Sequence, residues 1–312
     1  MSLIERAAKR LEELRRAGVE VPSSHPAETP SQPGNPSTFV KMETGSRTAS
    51  ARMGMDGPAT PPRPTARPKN YFELDLVRLA ALGFVTPDQP RSRIADEFRI
   101  LKRPLIANTS ERKPVPIKHA NLIMVTSSIP GEGKTFSAVN LALSLAMERD
   151  RTVLLVDADV ARPSLPALIG LPPSRGLLDV LENKDVDLGD VLLRTNIEKL
   201  SILPSGTQNR QATELLASGN MAQLLDEMSL RYADRIIVFD SPPLLVTTEA
   251  RVLATQMGQI VFVVHAESTL QSDVKRALAT IESCPIKMMV LNQARTMGQG
   301  AQGYGYGYGY GS

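Results

Sequence analysis

From Leu122 onward the chain alternates short, nearly uninterrupted apolar runs with longer stretches in which apolar residues recur at helical spacing. LIMVTS leads into a helical stretch through Glu148; then come VLLVD, a helical stretch over residues 213–232, IIVFD, a connector, IVFVV, a helix over 271–283 and KMMVLN. Short β-rich runs separated by helices of this length predict βαβ crossovers and a buried, mostly parallel sheet flanked by helices. One more short strand, Leu200–Leu203, is expected beside the others. In such an open sheet the chemistry gathers at the carboxyl ends of the strands.

Upstream, residues 71–84 and 94–108 read as helical extensions, so the folded body starts near Asn70. Residues 21–69 are dense in Pro, Ser, Thr, Gly and Arg and nearly free of large aliphatics, which predicts a disordered linker. Before it, Leu3, Ala7, Leu11 and Leu14 share one helical face, with Arg6, Arg10, Glu13, Arg15 and Arg16 around the rest. That pattern makes residues 1–20 a short amphipathic docking helix, marginal without a partner. At the other end GYGYGYGYGS places Tyr304, Tyr306, Tyr308 and Tyr310 in a segment with glycine at every second position. Ordering it is entropically costly and the phenols have no apolar run to bury against, so 298–312 is expected to be a disordered tail with exposed hydroxyls. The expected organisation is thus helix 1–20, linker 21–69, body 70–297 with a helical extension over 70–118, and tail 298–312.

Composition narrows the possibilities. At 312 residues and 42% apolar content the chain can bury a substantial core. The net charge is +3, with Arg47, Arg52, Arg63, Arg67 and Lys69 recurring in the linker without aromatic interleaving. A basic tether of that kind suits an anionic membrane surface or an acidic partner better than sequence-specific nucleic acid, and no nucleic-acid partner is expected. Cys284 is the single cysteine, which excludes disulfide architecture and CxxC metal sites. His25, His119 and His265 lack ligand spacing, so no protein-built metal site is expected. No apolar run approaches the ~20 residues of a membrane span, and the expected location is cytoplasmic with peripheral membrane contact.

The chemistry is carried by VTSSIPGEGKTFSAVNLALSLA, a strand, a glycine loop and an amphipathic helix in succession. Gly131 and Gly133 let backbone amides approach phosphates at a helix N-terminus. Lys134 supplies a full positive charge to those phosphates and Thr135 a hydroxyl for Mg²⁺; with Glu132 and Phe136 they make up the expected nucleotide-binding stretch 131–136. Ser128 stands where the general pattern has glycine, which makes the loop a deviant Walker A. In VLLVDADVARP, Asp157 and Asp159 lie two residues apart at a strand end, on one side of an extended chain. Such carboxylates can orient or deprotonate an attacking hydroxyl. IIVFDSPP ends a third strand in Asp240, placed like a Walker B aspartate that holds Mg²⁺ through water, followed by Pro242 and Pro243. Asn292, closing KMMVLN, is either a base contact or a turn residue.

A deviant P-loop, a DxD motif, a strand ending in DSPP and a tyrosine cluster together resemble the bacterial tyrosine kinases, or BY-kinases. The stretch ATELLASGNMAQLLDEMSLRYADRIIVFDSPP is similar to that family in wording as well as pattern. SLIERAAKRLEEL and EFRILKRPLIAN resemble the subgroup found with exosortase-linked polysaccharide loci. The resemblance implies ATP-dependent autophosphorylation of the tail between neighbouring subunits of a ring, regulating exopolysaccharide biosynthesis and export. It assigns phosphate binding to Lys134, magnesium to Thr135 and Asp240, and the acid or base role to Asp157, assisted by Asp159. It further implies a separate transmembrane activator of the chain-length-determinant type, a phosphotyrosine phosphatase, and a place at the inner face of the membrane through that partner. The family's Glu-x-x-Arg-x-x-Arg ring helix aligns here with Asp96, Arg99 and Lys102, and of two basic residues that commonly follow the DxD motif the chain keeps Arg162 but has Ala161. Two other readings remain open: a positioning ATPase of the ParA/MinD type, which usually carries a lysine where this chain has Ser128, and a nucleotide-regulated scaffold without kinase activity.

Overall fold

The computed structural model describes residues 70–110, 116–231 and 234–294, all within the unit Pro64–Ser312. The expected amphipathic helix 1–20, the linker 21–69 and the tyrosine tail lie outside the described residues.

Eight strands form one sheet: β1 (Tyr71–Phe72), β2 (Leu122–Ser127), β3 (Thr152–Asp157), β4 (Leu193–Thr195), β5 (Leu200–Leu203), β6 (Arg235–Asp240), β7 (Gln259–His265) and β8 (Ile286–Asn292). Their spatial order is β1-β4-β5-β3-β6-β2-β7-β8, and every pairing is parallel except β4 with β5. The helices are α1 (Leu76–Ala81), α2 (Arg93–Asn108), α3 (Lys134–Ala146), α4 (Leu165–Ile169), α5 (Leu177–Glu182), α6 (Leu188–Val191), α7 (Ala212–Leu216), α8 (Gly219–Arg231), α9 (Thr248–Ala254) and α10 (Gln271–Ala279).

The central strands are buried on both faces, which is why they read as continuous apolar runs. Alternate residues feed two cores. Leu122, Met124, Ile237 and Phe239 pack with α5, α7, α8, α9 and α10; Ile123, Val125, Ile236 and Val238 pack with α1, α2, α3 and α4. Strand β8 lies at the edge, and its exposure alternates, with Met289 and Leu291 outward.

Four expectations are corrected. Residues 71–84 are not one helix: β1 adds to the sheet beside β4, with Arg194 N donating to Asn70 O at 2.9 Å, and α1 starts only where the Asp75 carboxylate caps Arg78 N at 2.9 Å. The stretch 213–232 is two helices, α7 and α8, with the Ser218 hydroxyl accepting from Met221 N at the start of the second, 3.2 Å. The third concerns α3, which is not amphipathic. All of its residues but Phe136 are buried, because α1 and α2 cover the side that a lone surface helix would leave wet. Asn140 is used internally, its carbonyl accepting from Val85 N at 2.7 Å, while the half-buried Phe136 meets Phe84 at a ring separation of 4.8 Å. The far end of α2 is tied to the sheet through Asn108, which donates to the Gln259 side chain at 2.8 Å. Helix α10 also ends at Ala279, short of the expected 283.

Candidate active site

Strands β2, β3 and β6 are neighbours in the sheet, and their carboxyl ends deliver the phosphate loop, Asp157 and Asp240 to one place. The loop leaves β2 and turns into α3 through Gly131 and Gly133, at φ +86° and +90°. Only glycine adopts that region freely. At Gly133 the space is closed as well, since a Cβ would lie 2.0 Å from the Asn292 amide nitrogen. That amide donates to Glu132 O at 2.9 Å, so Asn292 supports the loop backbone from the end of β8.

Glu132 is almost fully buried and turned into the protein. One carboxylate oxygen accepts from Ile129 N at 2.7 Å and the other from the Thr269 hydroxyl. Its side chain therefore braces the loop, leaving its main-chain N–H for an anion. On the opposite side the loop after β6 is bolted to β2: Thr126 Oγ1 donates to Pro242 O at 2.8 Å, Leu244 N to Ser127 O at 2.9 Å and Leu245 N to Ser128 O at 3.1 Å. Ser128, the departure from glycine in the loop pattern, is fully buried in this join.

Lys134 bends back over the loop and its Nζ lies 2.5 Å from Asp159 Oδ2, both side chains being nearly buried. The turn after Asp159 is closed by Arg162 N, 3.3 Å from Asp159 Oδ1. The Thr135 hydroxyl shares a hydrogen bond with Ser164 at 2.8 Å.

Behind this pair, Asp157 and Asp240 are register partners across β3 and β6. Neither has exposed surface, and none of their four carboxylate oxygens makes a hydrogen bond. Ser205 and Thr135 lie beside them, short of hydrogen-bond geometry, and lower the two pKa values only in part. Burial, the Asp240 charge and the Asp159 charge push Asp157 up to about 8. Burial raises Asp240 to about 6, with Lys134 and Thr135 opposing and Asp159 adding to the rise. Asp240 thus ionises first, and its charge is what Asp157 then feels.

Buried carboxylate oxygens without partners, beside a threonine hydroxyl at a helix N-terminus, are a donor set suited to a hard divalent cation that completes its shell with phosphate oxygens and water. Among the described residues no group of three or more His, Cys, Asp or Glu forms a metal site by itself. A cavity of about 710 Å³ opens in front, lined by Gly131, Gly133, Lys134, Thr135, Phe136 and Asp159, then by Arg162 and the segment from Pro242 to Glu249. Its size is that of a nucleotide-scale ligand site. Asp157 and Asp240 are not part of its lining; they are fully buried at the ends of β3 and β6, next to Asp159 and Lys134.

The structure therefore brings together Gly131, Gly133, Lys134, Thr135, Asp157, Asp159 and Asp240. Asn292 is next to the loop but engaged with its backbone, and the four tail tyrosines lie outside the described residues. Sequence reasoning missed Glu249, Thr269 and Ser164. An acid following a threonine pair shortly after DSPP was a visible signal for Glu249, whereas Thr269 shows its role only once β7 is paired to β2. Of the aligned ring-helix residues, Lys102 is buried and used inside the molecule, pairing with Glu148 at 2.8 Å; Arg99 pairs with Asp96 and donates to Pro90 O at 2.7 Å.

Comparison with known proteins agrees with this geometry. A family model described as ParA, NUBPL iron-transfer P-loop NTPase, matches residues 118–297. The tyrosine-protein kinase YwqD of Bacillus subtilis is 28% identical over 218 residues, 69% of this chain and 88% of that protein. The succinoglycan biosynthesis transport protein ExoP of Rhizobium meliloti is 33% identical over 202 residues, 61% of this chain but 23% of ExoP. The solved kinase domain of the Escherichia coli tyrosine kinase ETK matches with a TM-score of 0.59 at 26% identity, covering 72% of this chain and 86% of that one. Among the described residues no helix is long and apolar enough to cross a membrane. With a glycine loop, a lysine held by the DxD acid and a buried acid pair on adjacent strands, the chain belongs to the ParA group of P-loop NTPases, and the relatives it resembles there are bacterial tyrosine kinases.

Proposed function

We propose that this protein is an ATP-dependent tyrosine autokinase that phosphorylates Tyr304, Tyr306, Tyr308 and Tyr310 of a neighbouring copy and so regulates exopolysaccharide production. The observation that carries the reading is the Lys134–Asp159 pair on the wall of the cavity. An arriving γ-phosphate competes for Lys134, and its capture frees the Asp159 carboxylate beside the position of the attacking hydroxyl. Gly131, Glu132 and Gly133 offer main-chain N–H groups to the phosphates, and Phe136 closes the cavity next to them. Thr135 and Asp240 would hold Mg²⁺, which would supply positive charge to the phosphates. Asp157, assisted by Asp159, orients the phenol and takes its proton.

A tail spanning residues 298–312 reaches at most about 50 Å when extended, enough to enter an adjacent subunit. Four phosphates would add roughly −6 to −8 charge at neutral pH, so modified tails brought together in a ring repel. A transmembrane activator of the chain-length-determinant type would hold the ring at the inner face of the membrane, with a phosphatase resetting the tail. The relative ExoP is named for succinoglycan transport, which supports the polysaccharide setting. The iron-transfer part of the family description is not carried over, since one cysteine cannot supply a thiolate pair.

Transfer between copies is tested by mixing a Lys134→Met chain with an otherwise intact chain whose four tail tyrosines are phenylalanine. Phosphate on the Lys134→Met tail is expected; a tail left bare, while the unsubstituted chain labels itself, contradicts transfer between copies.

A further inference from the structure

Beyond the phosphate loop the cavity continues along a wall that neither Mg²⁺ nor phosphate explains. Pro242, Pro243 and Val246 supply it, and Glu249 on α9 lies at its end. The wall is rigid at its root, where Thr126 Oγ1 bonds Pro242 O at 2.8 Å. Val246 is 57% exposed, an apolar side chain standing open beside a charged site. Glu249 is the reverse, an acid at 5% exposure whose carboxylate has no hydrogen bond or ion pair to any described residue. The Thr247 hydroxyl next to it is also buried and without a partner. The Glu249 oxygens are not among the fully buried, unpartnered atoms, so they remain open to the cavity, where an incoming donor can reach them.

We propose that this wall is the acceptor subsite: Pro243 and Val246 receive the phenol ring, and Glu249 accepts main-chain N–H groups of the acceptor segment. This rests on the kinase reading above. A phenol carries one proton, and that reading delivers it to the Asp157–Asp159 pair as the bond from the tyrosine oxygen to Pγ forms and the bond from Pγ to the ADP oxygen breaks. The donors an acceptor peptide still brings are its backbone amides. In GYGYGYGYG every tyrosine is flanked by glycines, whose N–H groups no side chain shields, so a buried carboxylate can reach them with a charge-assisted hydrogen bond. The subsite therefore selects tyrosine in an open Gly-Tyr-Gly backbone.

The test uses the full chain with its four tail tyrosines changed to phenylalanine, and a synthetic peptide of residues 298–312 as acceptor, with and without N-methylation of its glycines. Glu249→Leu is expected to raise the peptide KM about tenfold or more at little-changed nucleotide affinity, and Val246→Ser to raise it about fivefold. N-methylation is expected to weaken the peptide for the unsubstituted pocket and to make little further difference in Glu249→Leu, the coupling of a shared contact. Glu249→Leu is also expected to leave the melting temperature little changed, since Glu249 makes no hydrogen bond or ion pair to a described residue. An N-methyl penalty of equal size in both proteins, an unchanged KM in Val246→Ser, or a collapse of stability in Glu249→Leu overturns the assignment. A parent chain that binds ATP but phosphorylates neither its own tail nor the peptide removes the kinase reading first, and this subsite with it.

Discussion

Asp157 and Asp240 stand opposite each other on adjacent parallel strands, fully buried and with no hydrogen bond to either carboxylate. Two like charges so placed are unfavourable in the empty site. Burial, with the Asp240 and Asp159 charges adding to it, raises Asp157 to about 8, and burial, with Asp159 adding to it, raises Asp240 to about 6.

The sign of the pH dependence follows. Both folded-state values exceed the unfolded value of 3.8, so the folded chain binds more protons than the unfolded one between about pH 4 and pH 8. The pair's contribution to stability therefore falls as pH rises through that window and levels off above it. Binding of Mg²⁺·ATP favours the ionised pair and should expel about one proton at pH 7, more near pH 6 and none above pH 9. Calorimetry in buffers of different ionisation enthalpy reads this number directly. Asp157→Asn should abolish the release near pH 7 and raise the melting temperature of the empty protein at pH 8.

Lys134 and Asp159 are mutual partners in a nearly closed environment. Removing one leaves the other uncompensated, so Lys134→Met should destabilise the empty protein by about 3 kcal/mol or more. Adding Asp159→Asn should return most of that loss, without restoring ATP binding. Denaturant unfolding of the two variants, alongside nucleotide titration, separates the structural from the functional part.

Gly133 is constrained twice, by its φ of +90° and by the Asn292 amide 2.0 Å from where a Cβ would sit. Gly133→Ala should cost about 1–3 kcal/mol and more than tenfold in nucleotide affinity. Adding Asn292→Ala removes the clash but not the backbone strain, so partial recovery is expected. Full recovery would show that crowding alone enforces glycine.

Lys102 donates to Ser144 O at 2.6 Å and pairs with Glu148 at 2.8 Å, joining α2 to the end of α3. Burial opposes the effect of the neighbouring cations on Glu148, yet Lys102, Arg103 and Arg99 together hold its carboxyl below the usual carboxylate value. Lys102→Ala should therefore destabilise by about 3–5 kcal/mol. Lys102→Met should cost less, because its volume is kept while the exposed pairings of Glu148 with Arg103 persist. Oligomer mass measured by light scattering should not respond to Lys102→Met, since this side chain is buried within its own chain.

Much of this was legible in the residues because the relevant signals are local. A strand buried on both faces is an apolar run whatever packs on it, and glycine next to Lys134 at a strand-to-helix turn has one chemical use. The acids ending β3 and β6 could be placed at the site from topology alone. What could not be read depends on contacts between distant segments. Helix α3 looked amphipathic because Ser137, Asn140 and Ser144 are polar; only the cover of α1 and α2, with Val85 bonded to Asn140, makes them interior residues. Strand β1 is two residues long and exists only because β4 lies alongside. Glu132 read as part of the ligand surface, yet its carboxylate is drawn inward by Ile129 N and Thr269, a partner 137 positions away. Lys102, aligned with a ring-helix position, is paired inside the molecule with Glu148 at 2.8 Å, a contact that only the fold brings together.

The account turns on phosphate passing from ATP at Lys134 to the tyrosine tail. Intact mass with peptide mapping tests it most directly, on the full chain incubated with Mg²⁺·ATP, alone and with the cytoplasmic segment of the proposed membrane activator, beside Lys134→Met and Asp157→Asn. Additions of phosphate confined to Tyr304, Tyr306, Tyr308 and Tyr310, and absent from both variants, are the predicted result. A tail that stays unmodified in every sample while ATP is still hydrolysed contradicts the autokinase and leaves a nucleotide-switch ATPase in its place.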